Sequence, residues 1–510
     1  MNKVFSAALI GLEAELVEVE ADLTSGLRFF SIVGLPDKSV EESKERIAAA
    51  IKNSGAEPPH KQNKRVIINL APADLKKEGA GYDLPIALSF LLSSGQINFE
   101  SKDKLFIGEL ALNGDIRKVN GVLPICILAK EKNINKVFVP KDNSHEAKLV
   151  EGIEIIPIQS LAELIGYLEN RIEIEPLVPF SKDLLEEFET ISYPIDMAYI
   201  KGQENAKRAL EIAASGNHNV LLSGPPGSGK TLLAKAFASI LPKMTRDEIL
   251  EVTKIYSVSG KLTDKRPLIA RRPFRSPHHS ASEASLIGGG SSARPGEITL
   301  AHRGVLFVDE FPEVHRDVLE SLRQPLEDGL VSVARAKASY VFPARFILIA
   351  AMNPCPCGYY GDPEKECTCN QRDINRYQRK ISGPIMDRID LYVEVPHVKY
   401  EKLTDEKTEG SSQELRQKVE KARQIQIERF KNDKIATNSE MSIPLVKQHC
   451  KTDEEGNRLL RNAVNNLHLS ARGFHRILKL SRTIADLEES LSLKAHHIAE
   501  ALQYRPKTEI

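Results

Sequence analysis

Hydrophobic and polar residues alternate along the first part of the chain with the two-residue period of half-buried strands. Near the start, Val17 and Val19 alternate with Glu18 and Glu20. Short apolar runs of this kind predict strands over Val4–Leu12, Leu16–Val19, Phe29–Val33, Arg65–Leu70 and Lys136–Pro140. Longer amphipathic or apolar stretches predict helices over Ser39–Ser54 and Asp83–Ser93. Residues 1–170 are therefore predicted to form an α+β domain.

A second pattern begins at residue 196, where short buried runs alternate with helical stretches. The predicted strands are Asn219–Leu222, Val305–Val308 and Phe346–Ala350. Such alternation is typical of a parallel sheet covered by helices. Residues 196–396 are therefore predicted to form an α/β domain.

Changes in pattern mark the ends of these domains. Residues 171–195 are acidic and irregular and contain several prolines, which predicts a linker. After residue 397 the period is that of helices, which predicts a helical domain over residues 397–510. Its clearest predicted helices are Gln413–Phe430, Asp453–Asn466 and Arg472–Leu487.

Composition narrows the class of protein. The chain has 510 residues, enough for about three domains, and its 41% hydrophobic and 27% charged residues exclude disordered, collagen-like and disulfide-scaffold proteins. The 70 Lys plus Arg and 70 Asp plus Glu cancel, so any contact with nucleic acid has to be local. No apolar run approaches the ~20 residues of a membrane-spanning helix. We expect a cytoplasmic protein that does not enter a membrane.

A glycine-rich segment between a predicted strand and a predicted helix carries the clearest chemical signal. Its residues are Gly224, Pro225, Pro226, Gly227, Ser228, Gly229, Lys230 and Thr231. Glycines let backbone N–H groups curl around a phosphate chain, and the N-terminus of the following helix adds positive potential. In this pattern Lys230 binds the β and γ phosphates and Thr231 is a magnesium ligand. The segment predicts an ATP and Mg²⁺ site rather than a chance glycine-rich turn.

Polar residues follow the next two predicted strands of this domain. Asp309 and Glu310 come directly after Val305–Val308, and Asn353 comes shortly after Phe346–Ala350. The carboxyl ends of parallel strands meet where open α/β sheets bind ligands. Asp309 is therefore predicted to bind magnesium directly or indirectly, Glu310 to deprotonate the attacking water, and Asn353 to hold that water or the γ-phosphate. The alternatives are two acids that cap a helix and an asparagine that serves as a turn residue.

Longer motifs resemble those of a known family. One set of motifs resembles the magnesium-chelatase branch of the AAA+ ATPases. It consists of the run from Arg272 to His279, Gly288-Gly289-Gly290, Pro295-Gly296-Glu297, the run from Leu300 to Gly304, and Asp309-Glu310. Four further runs are similar to the ComM/YifB proteins within that branch: Asn353 to Gly358, Ile381 to Asp390, Ile32 to Asp37 and Asn69 to Asp74. The resemblance covers nearly the whole chain, and the motifs fall in the family's order.

The resemblance implies an assembly and two further site residues. AAA+ ATPases form rings, usually hexamers, with the nucleotide between neighbouring subunits. By this resemblance Arg388 is the arginine finger that acts on the neighbour's nucleotide; the alternative is an ordinary ion pair with Asp387 or Asp390. Arg472 resembles the sensor arginine of the helical lid, with Arg476 as the second candidate.

Four of the six cysteines lie close together in the sequence, as Cys355-Pro356-Cys357 and Cys367-Thr368-Cys369. Four thiolates on one short loop match tetrahedral zinc. Reduced thiols or a redox pair are the alternatives. A metal here is expected to stiffen the exit of the strand that precedes Asn353 rather than to take part in the reaction.

Basic residues cluster in two segments. The first contains Lys261, Lys265, Arg266, Arg271, Arg272 and Arg275, and the second, on a predicted hairpin over Leu330–Phe342, contains Arg335 and Lys337. In this branch of AAA+ proteins, these two insertions line the pore of the ring. Positive charge there would bind DNA phosphates, whereas the alternative is a solvated or subunit-contacting basic surface.

The N-terminal region resembles the Lon-protease fold, notably at Gly114-Asp115-Ile116, at Gly121-Val122-Leu123 and at the strand Lys136–Pro140. Peptide cleavage would require a Ser–Lys dyad. No serine occurs from Ala71 to Leu88, where the nucleophile should fall, and Leu123 occupies the place of the lysine. A binding or ring-scaffolding role is therefore expected instead of proteolysis.

The resemblance to ComM implies a ring-forming, Mg²⁺-dependent ATPase that acts on single-stranded or branched DNA, as a branch-migration helicase in recombination or natural transformation. A chelatase-like motor subunit that remodels a protein partner is the alternative. A third hypothesis, an ATP-switched scaffold that does not hydrolyse, is disfavoured by Glu310, since such a switch does not need a base.

Overall fold

A computed structural model of the chain describes residues 2–180, 193, 195–263, 266–289, 294–334, 339–398, 400–403, 410–433, 435–466 and 469–506. The chain folds into two units, neither of which is continuous in sequence. The first unit comprises Met1–Thr190, Arg246–Ala270 and Gly290–Pro295, and the second comprises Ile191–Thr245, Arg271–Gly289 and Gly296–Ile510. Residues 246–270, which lie inside the predicted 196–396 domain, thus fold with the first unit.

The strands and helices are numbered in chain order. The strands are β1 (Lys3–Ile10), β2 (Glu13–Ser25), β3 (Phe29–Val33), β4 (Lys64–Ala71), β5 (Lys104–Phe106), β6 (Glu109–Leu110), β7 (Ile116–Arg117), β8 (Lys136–Pro140), β9 (Glu154–Ile158), β10 (Val220–Ser223), β11 (Phe274–Arg275), β12 (Gly288–Gly289), β13 (Arg294–Pro295), β14 (Val305–Val308), β15 (Leu330–Ala334), β16 (Ser339–Pro343), β17 (Ile347–Met352) and β18 (Leu391–Glu394). The helices are α1 (Lys38–Asn53), α2 (Asp83–Ser93), α3 (Val122–Glu131), α4 (Ser144–Ala147), α5 (Leu161–Leu168), α6 (Glu204–Gly216), α7 (Lys230–Ile240), α8 (Arg246–Val258), α9 (Glu283–Ile287), α10 (Glu297–Leu300), α11 (Arg316–Ser321), α12 (Arg323–Asp328), α13 (Gln371–Gln378), α14 (Gly383–Met386), α15 (Tyr400–Leu403), α16 (Ser412–Arg429), α17 (Ile443–His449), α18 (Glu454–Asn466), α19 (Ala471–Leu487) and α20 (Ala495–Gln503).

The first unit is built on a seven-stranded mixed sheet with the order β3-β4-β2-β1-β5-β8-β9. Strand β2 is much longer than the predicted Leu16–Val19, because it pairs antiparallel with β1 along one edge and with β4 along the other. Its alternation places Val17 and Val19 in the core and leaves Glu18 and Glu20 partly exposed. The almost fully buried α2 packs on β2 and β1.

Helix α8 belongs to the first unit because its last turn is bonded to polar groups there. The Ser257 hydroxyl donates to the Glu146 carboxylate, and the backbone N–H of Gly121 donates to the Ser257 carbonyl over 3.1 Å. Burial raises the pKa of Glu146 above its ordinary value, although the bond from Ser257 opposes this. These contacts join residues far apart in sequence, and no local pattern predicts them.

The second unit contains a fully parallel five-stranded sheet with the order β11-β14-β17-β10-β18. Strand β17 is buried along its whole length, as a continuous apolar run requires in a sheet covered on both faces. It runs two residues beyond the predicted Ala350, because Met352 still pairs with Ser223 of β10. Since β17 lies between β14 and β10, the carboxyl ends of these three strands meet at one edge.

Buried hydrogen bonds join this sheet to the C-terminal helices of the same unit. His218, two residues before β10, contacts Asp390 through Nδ1 at 3.2 Å and Thr483 of α19 through Nε2 at 2.8 Å. Burial alone would raise the pKa of Asp390, but the bond with His218 brings it below its ordinary value. Asn438 in turn contacts both Thr483 and Asp486. The sheet and α19 are therefore fixed to each other through polar side chains as well as through the apolar core.

Helices α16, α18 and α19 each begin and end within one residue of their predicted bounds. Among the helices in the part of the chain that the structure describes, none is both long enough and apolar enough to cross a membrane.

Candidate nucleotide site and cysteine cluster

The ends of β10 and β14 bring together the two residues predicted to bind magnesium. Thr231, in the first turn of α7, donates its hydroxyl to Asp309 Oδ2 over 2.9 Å. The other carboxylate oxygen of Asp309 accepts the backbone N–H of Glu310 over 2.9 Å. A hydroxyl and a carboxylate at this spacing can share one hard cation such as Mg²⁺, which prefers oxygen ligands.

The glycine-rich segment forms a tight turn between β10 and α7. A Cβ atom at Gly224 would lie 2.1 Å from the carbonyl oxygen of Val395, so only glycine fits there. The Lys230 ammonium donates to the carbonyls of Gly224 and Pro225, over 2.7 and 2.8 Å, and to Asn353 Oδ1 over 3.2 Å. Burial lowers the pKa of Lys230, and the nearby Asp309 carboxylate opposes that shift. The segment, Lys230 and Asn353 thus form one hydrogen-bonded group at the sheet edge.

Glu310 lies beside a histidine that sequence reasoning did not select. The Nδ1 atom of His279 is 2.9 Å from Glu310 Oε2, and both side chains are partly exposed. Glu310 has a φ of +49°, a left-handed conformation that is uncommon for residues other than glycine and typical of functional positions. His279 follows β11, which is the neighbour of β14 in the sheet. The strand order, which the sequence does not specify, creates this pair.

Arg388 lies in an ion pair, although not with either predicted partner. Its guanidinium pairs with Glu327 and also donates to the carbonyl of Pro384 over 2.5 Å. Its side chain is only 12% exposed. The Asn219 amide donates to the Arg388 carbonyl over 2.9 Å, which anchors this part of the backbone beside β10. The acid that pairs with Arg388 is thus Glu327 and neither Asp387 nor Asp390, and the role of Arg388 stays a prediction.

The two candidate sensor arginines differ in their surroundings. Arg472 is 64% exposed, and its nearest acidic partner is Asp387, at 3.8 Å. Arg476, one turn later on α19, donates to the backbone carbonyls of Met386 and Ile389. Arg476 therefore has a structural role in this subunit, whereas the guanidinium of Arg472 is open to solvent. Among the contacts of the described residues, none joins Arg388 or Arg472 to Lys230, Asp309 or Glu310.

A second residue that sequence reasoning missed lies against the glycine-rich turn. The Gln203 side chain, directly before α6, donates to the carbonyl of Pro396 over 2.6 Å and approaches that of Ser228 at 3.4 Å. In the sequence, the one indication for Gln203 is that it lies at the start of a helix in the strand–helix pattern. That indication is too weak to predict which residues Gln203 contacts. Gln203 connects the turn to the segment that follows β18.

The four clustered cysteines bring their sulfur atoms together. The Sγ of Cys355 is 3.3 Å from that of Cys357 and 3.7 Å from that of Cys367, and Cys357 and Cys367 are 3.5 Å apart. All four sulfurs, including that of Cys369, lie within 4.8 Å of one another. Zn–S bonds of about 2.3 Å in a tetrahedron place sulfurs about 3.8 Å apart. The residues thus fit a tetrahedral zinc ion.

Backbone groups around the cluster favour the thiolate form of one cysteine, Cys357, whereas the neighbouring cysteines raise the pKa of Cys367 and Cys369. The N–H of Cys357 points to the sulfur of Cys369 over 3.4 Å. Backbone N–H groups, that of Tyr359 first, lower the pKa of Cys357 to about 5. Cys126 and Cys450 are buried away from this cluster, and burial raises the pKa of each. The four clustered cysteines could therefore hold a metal ion, whereas Cys126 and Cys450 are buried thiols of low reactivity.

Two basic residues predicted to line a pore are engaged with protein groups. Arg272 donates to the carbonyls of Pro242, Lys243 and Arg303. Arg275 forms a bidentate pair with Glu297 over 2.6 and 2.7 Å. The hydrogen bonds favour a structural role for these two side chains over phosphate binding. Lys265, Arg335 and Lys337 lie outside the described residues.

Comparison with known proteins agrees with this arrangement of motifs. The chain matches three family descriptions: "Subunit ChlI of Mg-chelatase" over residues 19–143, "Magnesium chelatase, subunit ChlI" over 196–403 and "Magnesium chelatase, subunit ChlI C-terminal" over 409–505. It is 42% identical over 505 residues to Competence protein ComM of Haemophilus influenzae, covering 98% of this chain and 97% of that protein. It is 40% identical over 511 residues to the uncharacterized protein YifB of Escherichia coli, covering 99% and 97%. The magnesium-chelatase 67 kDa subunit of Heliobacterium mobile is 27% identical, over 45% of this chain and 38% of its own length.

Proposed function

This chain belongs to the ComM/YifB family of magnesium-chelatase-like proteins, and we propose that it is a ring-forming AAA+ ATP hydrolase that moves DNA. The observation that carries the proposal is the convergence at one sheet edge of Thr231 with Asp309 and of Lys230 with Asn353. This is the arrangement that phosphoryl transfer requires, because catalysis there consists of positioning and of charge stabilisation.

Each residue at this edge has a role that follows from its chemistry. The backbone of the glycine-rich turn and Lys230 would bind the phosphate chain, and Thr231 and Asp309 would hold Mg²⁺. When bound, the ion would neutralise charge on the phosphate oxygens. Glu310 would accept the proton of the attacking water at its carboxylate, and Asn353 would orient that water or the γ-phosphate.

We place the arginine finger at Arg388 and the sensor arginine at Arg472, both acting in a homo-oligomer, by family expectation a hexamer. An arginine finger is supplied by the neighbouring subunit, so its separation from Lys230 within one chain is expected. In such a ring the guanidinium of Arg388 would exchange Glu327 for the neighbour's phosphates. The exposed Arg472 would complete the charge around the nucleotide.

DNA is the proposed partner, and branch migration in recombination or natural transformation is the proposed activity. The support is the match to Competence protein ComM, which extends over 98% of this chain. A chelatase-like motor subunit that remodels a protein partner is the second candidate. It is less well supported, since the match to the Heliobacterium mobile subunit covers only 45% of the chain at 27% identity.

The test is ATP turnover of the full chain measured with duplex, single-stranded and branched DNA. We expect at least one of the single-stranded and branched forms to raise turnover severalfold, with an effect that weakens as salt rises, because phosphate contacts release counterions. Lys230→Ala is the control for contaminating ATPases. Turnover that no DNA alters, together with rescue of a chelatase reaction, would favour the second candidate.

We propose a scaffolding rather than a proteolytic role for residues 1–170, which we take to be a Lon-like domain. Leu123, at the position expected for the catalytic lysine, is fully buried in α3. An apolar buried side chain cannot act as a general base.

We also propose that the cysteine cluster holds one structural zinc ion. Elemental analysis of reduced protein is expected to find zinc close to one ion per chain. The double variant Cys367→Ser/Cys369→Ser is expected to lose the metal, because two of four ligands are gone. The matched control is Cys126→Ser/Cys450→Ser, which alters the two cysteines outside the cluster. A zinc content near zero in the reduced wild-type protein would refute this proposal.

A further inference from the structure

The cysteine loop lies directly against the glycine-rich turn of the nucleotide site. Gly358, one residue after Cys357, has a φ of +89° and sits so close to Pro226 that a Cβ atom at position 358 would lie 2.6 Å from the proline Cδ. A separation that short is a steric overlap, so the loop and the ring of Pro226 are in van der Waals contact with no spare room. Pro226 is one of the turn residues that would surround the phosphates.

Asn353, at the start of the same loop, lies next to the helix that follows the loop. Its backbone faces the Tyr377 hydroxyl and opposes the burial that raises the pKa of Tyr377 to about 12. The Gln378 side chain donates to the carbonyl of Pro354 over 3.1 Å. Tyr377 and Gln378 lie on α13, which begins directly after Cys369 with Asn370 as its N-cap. The loop leaves from Asn353, touches Pro226 and returns to Asn353 through α13.

The four thiols bring the two ends of the loop together. They join the start of the loop, at Cys355 and Cys357, to its end, at Cys367 and Cys369. The loop carries turns and bends but no helix or strand between Asn353 and Asn370. A metal bound by all four sulfurs would fix both stems of the loop at once, because tetrahedral coordination sets their spacing and orientation.

We propose that the metal in the cysteine cluster controls the affinity of the nucleotide site, by holding Gly358 against Pro226 and α13 against Asn353. The proposal rests on the proposed ATPase function and adds a regulator to the same site. Metal binding and ATP binding are then coupled, so that each strengthens the other.

Two glycines of the loop provide a matched pair of variants. Gly361 has a φ of +77°, close to that of Gly358, but a Cβ atom there would meet nothing within 4 Å. Gly358→Ala and Gly361→Ala therefore carry a similar backbone cost, and only Gly358→Ala disturbs the contact with Pro226. A difference between them reports on that contact alone.

The experiment measures the affinity of the full chain for a fluorescent ATP analogue with Mg²⁺, in zinc-loaded and in chelator-treated, reduced protein. Zinc content and thermal unfolding are recorded for each sample. We expect removal of zinc to weaken nucleotide binding by about tenfold in the wild type and in Gly361→Ala. In Gly358→Ala we expect binding to be weak already and to change less than about twofold with zinc, since the contact that transmits the effect is displaced.

The outcomes separate this inference from the proposed function. Equal nucleotide affinity with and without zinc in the wild type would overturn the coupling. A full zinc response in Gly358→Ala would overturn its transmission through Gly358 and Pro226. Either result would leave the proposed ATPase function intact. Protein that takes up no zinc but binds the analogue would overturn this inference together with the proposed zinc site, and would leave the proposed ATPase function standing. Failure of every form to bind the analogue would overturn the proposed function itself.

Discussion

Replacement of Glu310 by Gln is expected to lower ATP turnover by about 10²–10⁴-fold, the usual contribution of a general base, while ATP still binds. The amide keeps the size and left-handed backbone of Glu310 but cannot accept a proton from water. The phosphate contacts of Lys230 and the magnesium ligands Thr231 and Asp309 are unchanged. The measurement is single-turnover hydrolysis at saturating ATP, alongside binding of a labelled ATP analogue.

Glu313→Gln is the matched control for this variant. Glu313 lies three residues further along the chain and forms a surface ion pair with Lys380 at 2.8 Å, so its loss should cost little. Substitution of His279, which contacts the Glu310 carboxylate, should lower ATP turnover less than substitution of Glu310, because His279 positions the base but does not accept the proton. Wild-type turnover in Glu310→Gln would show that another group takes the proton.

Replacement of Arg388 by Ala is expected to lower turnover by about 10³–10⁵-fold, the effect of losing an arginine finger. Binding of ATP to each subunit should persist, because Lys230 and the glycine-rich turn belong to the same chain as the bound phosphates. The measurements are steady-state hydrolysis and the affinity for the ATP analogue, both at protein concentrations that favour assembly.

Glu327→Gln distinguishes the finger from a structural ion pair. The two residues pair in the structure, so a structural role would make the two variants behave alike. If Arg388 instead acts on a neighbour's phosphates, Glu327→Gln frees the guanidinium and retains turnover. Equal loss of activity in both variants, with equal loss of thermal stability, would contradict the finger assignment.

The strand ends of the second unit could be predicted because each depends on a short stretch of sequence. The glycine-rich segment can be recognised from its own residues. Buried strands of a parallel sheet can be recognised as continuous apolar runs, such as β14 and β17. Asp309, Glu310 and Asn353 then follow from the rule that ligands bind at the carboxyl ends of such strands. Local chemistry and periodicity were sufficient for these residues.

Contacts that depend on strand order or on distant segments could not be predicted. His279 reaches Glu310 only because β11 lies beside β14, and Glu327 meets Arg388 across sixty-one residues of sequence. The assignment of α8 to the first unit depends on Ser257 and the buried Glu146. The approach of Gly358 to Pro226 likewise requires the folded loop. In each case the sequence shows which residue types are present but not which distant residues they contact.

The proposed ATP hydrolysis requires an active site shared between subunits, and mixing two inactive variants tests this requirement most directly. Lys230→Ala lacks a working phosphate site but offers Arg388, whereas Arg388→Ala has the phosphate site and lacks the arginine. In a random equimolar mixture about a quarter of the interfaces combine both intact halves, so ATP turnover should recover well above that of either variant alone. A mixture that stays inactive, in protein that remains monomeric with nucleotide present, would contradict the account.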